Sequence, residues 1–125
     1  MRKFTFLFAA IACVALQMQA VVVENVAGEL SSRLTDTKVT ELTITGSLDA
    51  RDFKYMADKC NDLTGVDLSS AKILAYEGAE PVFGQQITYQ ANEIPQTSFF
   101  GKPLTSVVLP SDVRIVGYAA FAGCE

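Results

Sequence analysis

Three segments of the chain set aliphatic residues at one spacing, L-x-x-L-x-L. They are Val39-Thr40-Glu41-Leu42-Thr43-Ile44, Leu63-Thr64-Gly65-Val66-Asp67-Leu68 and Leu104-Thr105-Ser106-Val107-Val108-Leu109. Nothing else in the sequence restricts the fold as strongly. The last three residues of each copy alternate inward and outward with the period of a half-buried strand. The first two copies start 24 residues apart and the next two 41 apart, close to two periods of about 20 residues. A second offset agrees: Ile94 and Phe100 stand six apart, as do Ile115 and Phe121, and the second pair follows the first by 21. Segments that recur at such a period bury their apolar sides against one another. The expected fold class is therefore α/β, with stacked coils sharing a short parallel sheet.

Between copies the hydrophobic period changes from strand to helix. Phe53, Met56, Ala57 and Cys60 fall at i, i+3, i+4 and i+7, which predicts a helix over Ala50–Cys60 with Asp49 as its N-cap. Upstream, Val26, Ala27, Leu30 and Leu34 mark a shorter amphipathic helix with Asn25 as cap, so residues 21–38 read as an N-terminal capping helix ahead of a repeat region at 39–125. Strands alternating with helices over short links make a right-handed βα coil the natural topology. The stretch Ala75–Asn92, with Gly78, Pro81 and Gly84, reads as a degenerate repeat or a long excursion.

The first 20 residues have another character. Met1-Arg2-Lys3 is a short positive start, Phe4–Leu16 carries no charge, and Gln17-Met18-Gln19-Ala20 is polar with a small final residue. That order is a secretory signal, with cleavage expected between Ala20 and Val21. The apolar run has 13 residues, against about 20 for a bilayer span, so no transmembrane segment is expected in the mature chain. An alternative is lipid attachment at Cys13 after Ala10-Ile11-Ala12. Either route leads to secretion or the cell surface.

Removing residues 1–20 takes Arg2 and Lys3 from the ten basic residues and none of the 14 acidic ones, leaving a formal charge of −6. Binding along a phosphate backbone needs clustered Lys and Arg, so nucleic acid is excluded as a partner. Histidine is absent, which removes Ser-His-Asp, Cys-His and His-metal chemistry together. Catalysis and cofactors are therefore not expected. Beyond Cys13 the chain has Cys60 and Cys124, with no CxxC. An exported chain permits a disulfide. Their apolar neighbours favour buried free thiols, and the sequence leaves the pairing open.

The segment Leu104-Thr105-Ser106-Val107-Val108-Leu109-Pro110, followed by Ile115-Val116-Gly117-Tyr118-Ala119-Ala120-Phe121-Ala122-Gly123-Cys124, closely resembles the BspA-like leucine-rich repeat of bacterial secreted and surface proteins. Asn92-Glu93-Ile94-Pro95 with Phe99-Phe100 and Leu104 looks like a partial repeat before it, and Val39–Leu68 looks like the capping region of such proteins. The resemblance implies a leucine-rich-repeat solenoid that binds an extracellular protein or glycan as a monomer, and repeats continuing beyond residue 125. A structural spacer presenting another domain is the alternative.

On a solenoid of that kind the residues between the leucines face outward. They give a candidate ligand face of Thr40, Glu41, Thr43, Thr64, Asp67, Thr105, Ser106 and Val108, with Gly65 among them. Thr and Ser also suit any solvated strand face. Asp49, Asp52, Asp58, Asp62 and Asp67 are the densest acidic stretch, but the calcium-loop order is absent. They read as a capped helix with a solvated acidic face. Tyr55, Tyr76, Tyr89 and Tyr118 are scattered and read as packing residues.

Overall fold

The computed structural model describes residues 18–124. It is a mixed α/β chain with a mostly parallel sheet and two helices. The strands are β1 (Ala20–Asn25), β2 (Glu41–Leu48), β3 (Gly65–Asp67), β4 (Ala71–Ile73), β5 (Tyr76–Glu77), β6 (Thr88–Tyr89), β7 (Glu93–Ile94), β8 (Ser106–Val108) and β9 (Ile115–Val116). The helices are α1 (Leu30–Arg33) and α2 (Ala50–Lys59).

The main sheet runs β1-β2-β3-β8, all parallel. Its register puts Leu42 beside Val66 and Val66 beside Val107. These are matched positions of the three L-x-x-L-x-L copies, so offsets of 24 and 41 hold residue by residue. Inward residues Leu42, Ile44, Val66 and Leu68 are at most 2% exposed. Val107, on the outermost strand β8, and Leu109, just after it, are only partly buried. β2 pairs β3 through Glu41–Thr43 and β4 through Gly46–Leu48. Gly46 has φ of 88°, and a Cβ there would strike the backbone oxygen of Asn25, so no side chain fits.

One expected element differs. Residues 21–38 are not a capping helix: Val21–Asn25 belong to β1, and the helix is a single turn, Leu30–Arg33, with Glu29 rather than Asn25 at its N-cap. Three consecutive β-branched valines favour extended backbone, and a six-residue ladder to β2 outweighs one helical turn. Asn25 instead donates from Nδ2 to the Ser47 carbonyl at 2.9 Å. Ala20 and Val21, which flank the expected cleavage point, pair with Glu41 and Leu42. Residues 1–17, with Cys13, lie outside the described residues.

α2 follows the expectation closely. Phe53, Met56 and Cys60 are fully buried, and Ala57 packs half-buried beside them. Asp49 caps it by accepting from Arg51 N at 2.9 Å. Asp52 completes a capping box and departs from the solvated acidic face: it is 1% exposed and accepts from the main-chain N–H of Gly28, Leu30 and Asp49 at 2.8, 3.0 and 3.0 Å. One carboxylate thus ties the β1–α1 loop to the helix start. Burial pushes this carboxyl above the usual carboxylate range while the three N–H donors pull it down.

The second ladder, β7 with β9, pairs Ile94 with Val116, an offset of 22 rather than 21. The repeated aromatic is accordingly Phe99, not Phe100. Phe99 is fully buried, stacks on Phe121 at 5.4 Å and meets Phe53 edge-on at 6.1 Å, whereas Phe100 is 60% exposed. Thr97 and Ala119, also 22 apart, both adopt left-handed φ near 55°. That turn precedes Phe99 in one segment and Phe121 in the other, and the two rings stack.

Lys102 anchors the same region. It is 5% exposed, and its ammonium donates to the Ala57 carbonyl at 2.7 Å and to Asn61 Oδ1 at 2.9 Å, near the C-terminal end of α2. A cation is favourable there. Lys102→Met should lower stability by about 1–3 kcal/mol, the cost of removing a charged hydrogen-bonding partner from buried acceptors. Urea denaturation measures it, and an unchanged midpoint would mean the ammonium contributes nothing.

Candidate functional site

The outward positions of the main sheet form rows across its strands. One row is Ala20, Glu41, Gly65 and Ser106; the next is Val22, Thr43, Asp67 and Val108. Each strand alternates, so the residues that fill the core force these to the other face. The candidate face therefore divides into two groups with different chemistry.

Thr40, Thr64 and Thr105 sit one step ahead of the ladder, and their hydroxyls serve the sheet itself. Thr105 Oγ1 donates to the Thr64 carbonyl at 3.2 Å, and Thr64 Oγ1 shares its single proton between the Thr40 carbonyl at 3.2 Å and the Glu41 carboxylate. The same carbonyls accept main-chain N–H groups, from Thr64 at 2.8 Å and from Thr105 at 2.8 Å. Thr40 Oγ1 also accepts from Gln19 N at 2.8 Å. These threonines hold the strand starts together.

Glu41, Thr43, Asp67, Ser106 and Val108 instead line a shallow depression of about 250 Å³, floored by Leu42, Gly65 and Val66. The Glu41 carboxylate lies over Gly65, in the space that a side chain there would fill, and accepts from Thr64 Oγ1 at 3.0 Å. Asp67 accepts from Ser69 N at 2.9 Å and Ser69 Oγ at 2.6 Å, and these bonds hold its carboxyl below the usual carboxylate range. It stays ionised as pH falls further than an ordinary aspartate does. Val108 is 46% exposed and Val22, at the other end of the same row, 73% exposed. The surface offers two carboxylates, two hydroxyls and an apolar margin.

A larger hollow, about 400 Å³, opens at the strand starts between Gln19, Lys38, Thr40 and Asp62. No histidine, cysteine, aspartate or glutamate residues gather in threes able to hold a metal among the described residues. Among those residues no helix is long and apolar enough to cross a membrane. Cys60 is buried and Cys124 half-buried, both as free thiols; Cys124 Sγ lies 3.2 Å from the Phe99 carbonyl.

The tyrosines have separate roles. Tyr55 donates to the Leu34 carbonyl at 2.7 Å, Tyr89 is buried, Tyr76 lies under the Arg51 guanidinium at 4.5 Å, and Tyr118 is 82% exposed. Only Tyr118 departs from a packing role. Val22 and Ala20 were absent from the sequence-derived face because β1 was read as leader and helix. Met18-x-x-Val21-x-Val23 carries the same spacing as the other strands and could have revealed them.

No protein-family model matches the chain, and no curated protein matches it.

Proposed function

We propose that this chain is an exported leucine-rich-repeat solenoid of the BspA-like type, which binds an extracellular protein or glycan through the outer face of β2, β3 and β8. It acts without catalysis. The observation that carries this reading is the register: three copies of one sequence pattern lie side by side and present Thr43, Asp67 and Val108 in a single row. Repeat proteins recognise partners along such accumulated rows. The charge–apolar–small order of residues 1–20 supports export, with processing at Ala20–Val21 or lipid attachment at Cys13.

A spacer role is the second reading, and the threonine row favours it for part of the face. Thr40 and Thr105 spend their hydroxyls on the sheet, Thr64 shares its own between the sheet and Glu41, and the depression is the part left free to bind.

The test is solid-phase binding of the purified chain to a panel of extracellular-matrix proteins and glycans. Thr43→Lys and Asp67→Lys, which change half-buried side chains on the outer face, should each reduce binding at least about tenfold, the effect of about 1.4 kcal/mol. Lys59→Glu, at the end of α2, should leave it unchanged. Loss of binding in all three variants, or in none, would remove the face from the account.

A further inference from the structure

Between β4 and β7 the chain leaves the parallel sheet and makes a small antiparallel hairpin, β5 with β6, over Tyr76–Tyr89. The hairpin is closed internally by the Tyr89 hydroxyl, which accepts from Phe83 N at 2.8 Å and donates to the Gln86 carbonyl at 2.8 Å. Its two attachments differ in kind. On the β7 side, polar ties hold it: Gln86 Nε2 donates to Glu93 at 3.2 Å, and Gln90 N donates to Glu93 at 2.8 Å. On the α2 side, two cations one helical turn apart sit over two of its rings, Arg51 over Tyr76 at 4.5 Å and Lys54 over Phe83 at 5.2 Å.

We propose that Tyr76–Tyr89 is a strap that opens as one body away from α2, pivoting on its Glu93 side and held closed by the Arg51–Tyr76 and Lys54–Phe83 contacts. The ends are fixed to the sheet, by Leu74 N to the Leu48 carbonyl at 2.8 Å and by Asn92 N to the Ile73 carbonyl at 3.0 Å. Asn92, with φ of 65°, takes the left-handed turn where the strap rejoins β7. Within the strap the ladder is only two residues long on each side, so it opens at lower cost than the main sheet. Phe83, 2% exposed, is the apolar residue that opening would bring to solvent.

Amide hydrogen exchange on the full chain tests this. The amides of Gly78, Val82 and Gln86, which donate within the strap, should exchange with a common opening rate, faster than Thr64 and Thr105 in the sheet. Tyr76→Leu keeps an apolar side chain and leaves the Arg51–Asp49 ion pair in place while removing the ring; Lys54→Gln removes the second cation. Each should speed strap exchange about twofold to fivefold, and the pair more, with Thr64 and Thr105 unchanged. Unchanged strap rates would overturn the proposal. So would equal acceleration of strap and sheet, since the contacts would then support the whole fold rather than a local closure.

Discussion

Phe99→Ala should cost about 3–5 kcal/mol, the range for a large aromatic removed from a fully packed site. Phe99 is fully buried between Phe53 of α2 and Phe121, which follows β9, with its ring edge-on to one and stacked on the other. Truncation therefore opens a cavity and breaks two aromatic contacts, which contribute beyond their buried area. Phe121→Ala should cost less, because that ring is only half-buried. Phe100→Ala should shift stability by under about 0.5 kcal/mol, as an exposed substitution does. Urea unfolding of the three variants measures the order. Equal losses for Phe99 and Phe100 would contradict the 22-residue register of the second ladder.

Asp52→Ala should cost about 3 kcal/mol or more, because the buried N–H groups of Leu30 and Asp49 and the half-buried one of Gly28 lose their acceptor at once, and each unsatisfied buried donor costs about 1–3 kcal/mol. The loop Val26–Glu29 and the first turn of α2 share that carboxylate, so the loss should appear in both places. Asp52→Asn retains one acceptor oxygen but turns an NH₂ toward part of the donor set, and should fall between wild type and Ala. Asp58→Ala, on the exposed side of the same helix, should shift stability by under about 0.5 kcal/mol. Thermal unfolding separates these variants. A small Asp52→Ala effect would mean that water replaces the carboxylate and that the site is not sealed.

The main sheet was legible because a strand with one buried face has no freedom of register. Shifting Leu63–Leu68 by one residue would turn Val66 and Leu68 to solvent, so the aliphatic spacing dictates which residues pair. The same rule makes the candidate face readable from the sequence. β1 was less legible: Val21–Asn25 adjoins an apolar leader, and the helix pattern of Val26, Ala27, Leu30 and Leu34 extended over it. Its strand state depends on the ladder to β2, which is a tertiary effect. Phe99 and Phe100 are neighbours of one type, and the left-handed turn at Thr97 selects between them. No residue preference announces that turn, since threonine rarely takes it. Asp52 was hidden in plain view, because D-x-x-D at a helix start reads equally as a solvated pair. Its burial comes from the β1–α1 loop folding back 22 residues upstream. Within the candidate face, the sequence could place the threonines outward but not show that their hydroxyls are occupied by carbonyls of the preceding strand.

The most direct test of the account is nuclear Overhauser contacts in the isotope-labelled chain, measured between the backbone protons of the three matched segments. The account predicts contacts that link Leu42 to Val66 and Val66 to Val107, with Thr43, Asp67 and Val108 following one residue later in the same register. A contact set that fits only a one-residue slip, with Thr43 rather than Leu42 opposite Val66, would turn the candidate face inward. Absence of any contact between 65–67 and 106–108 would break the continuous parallel sheet on which the proposed binding face depends.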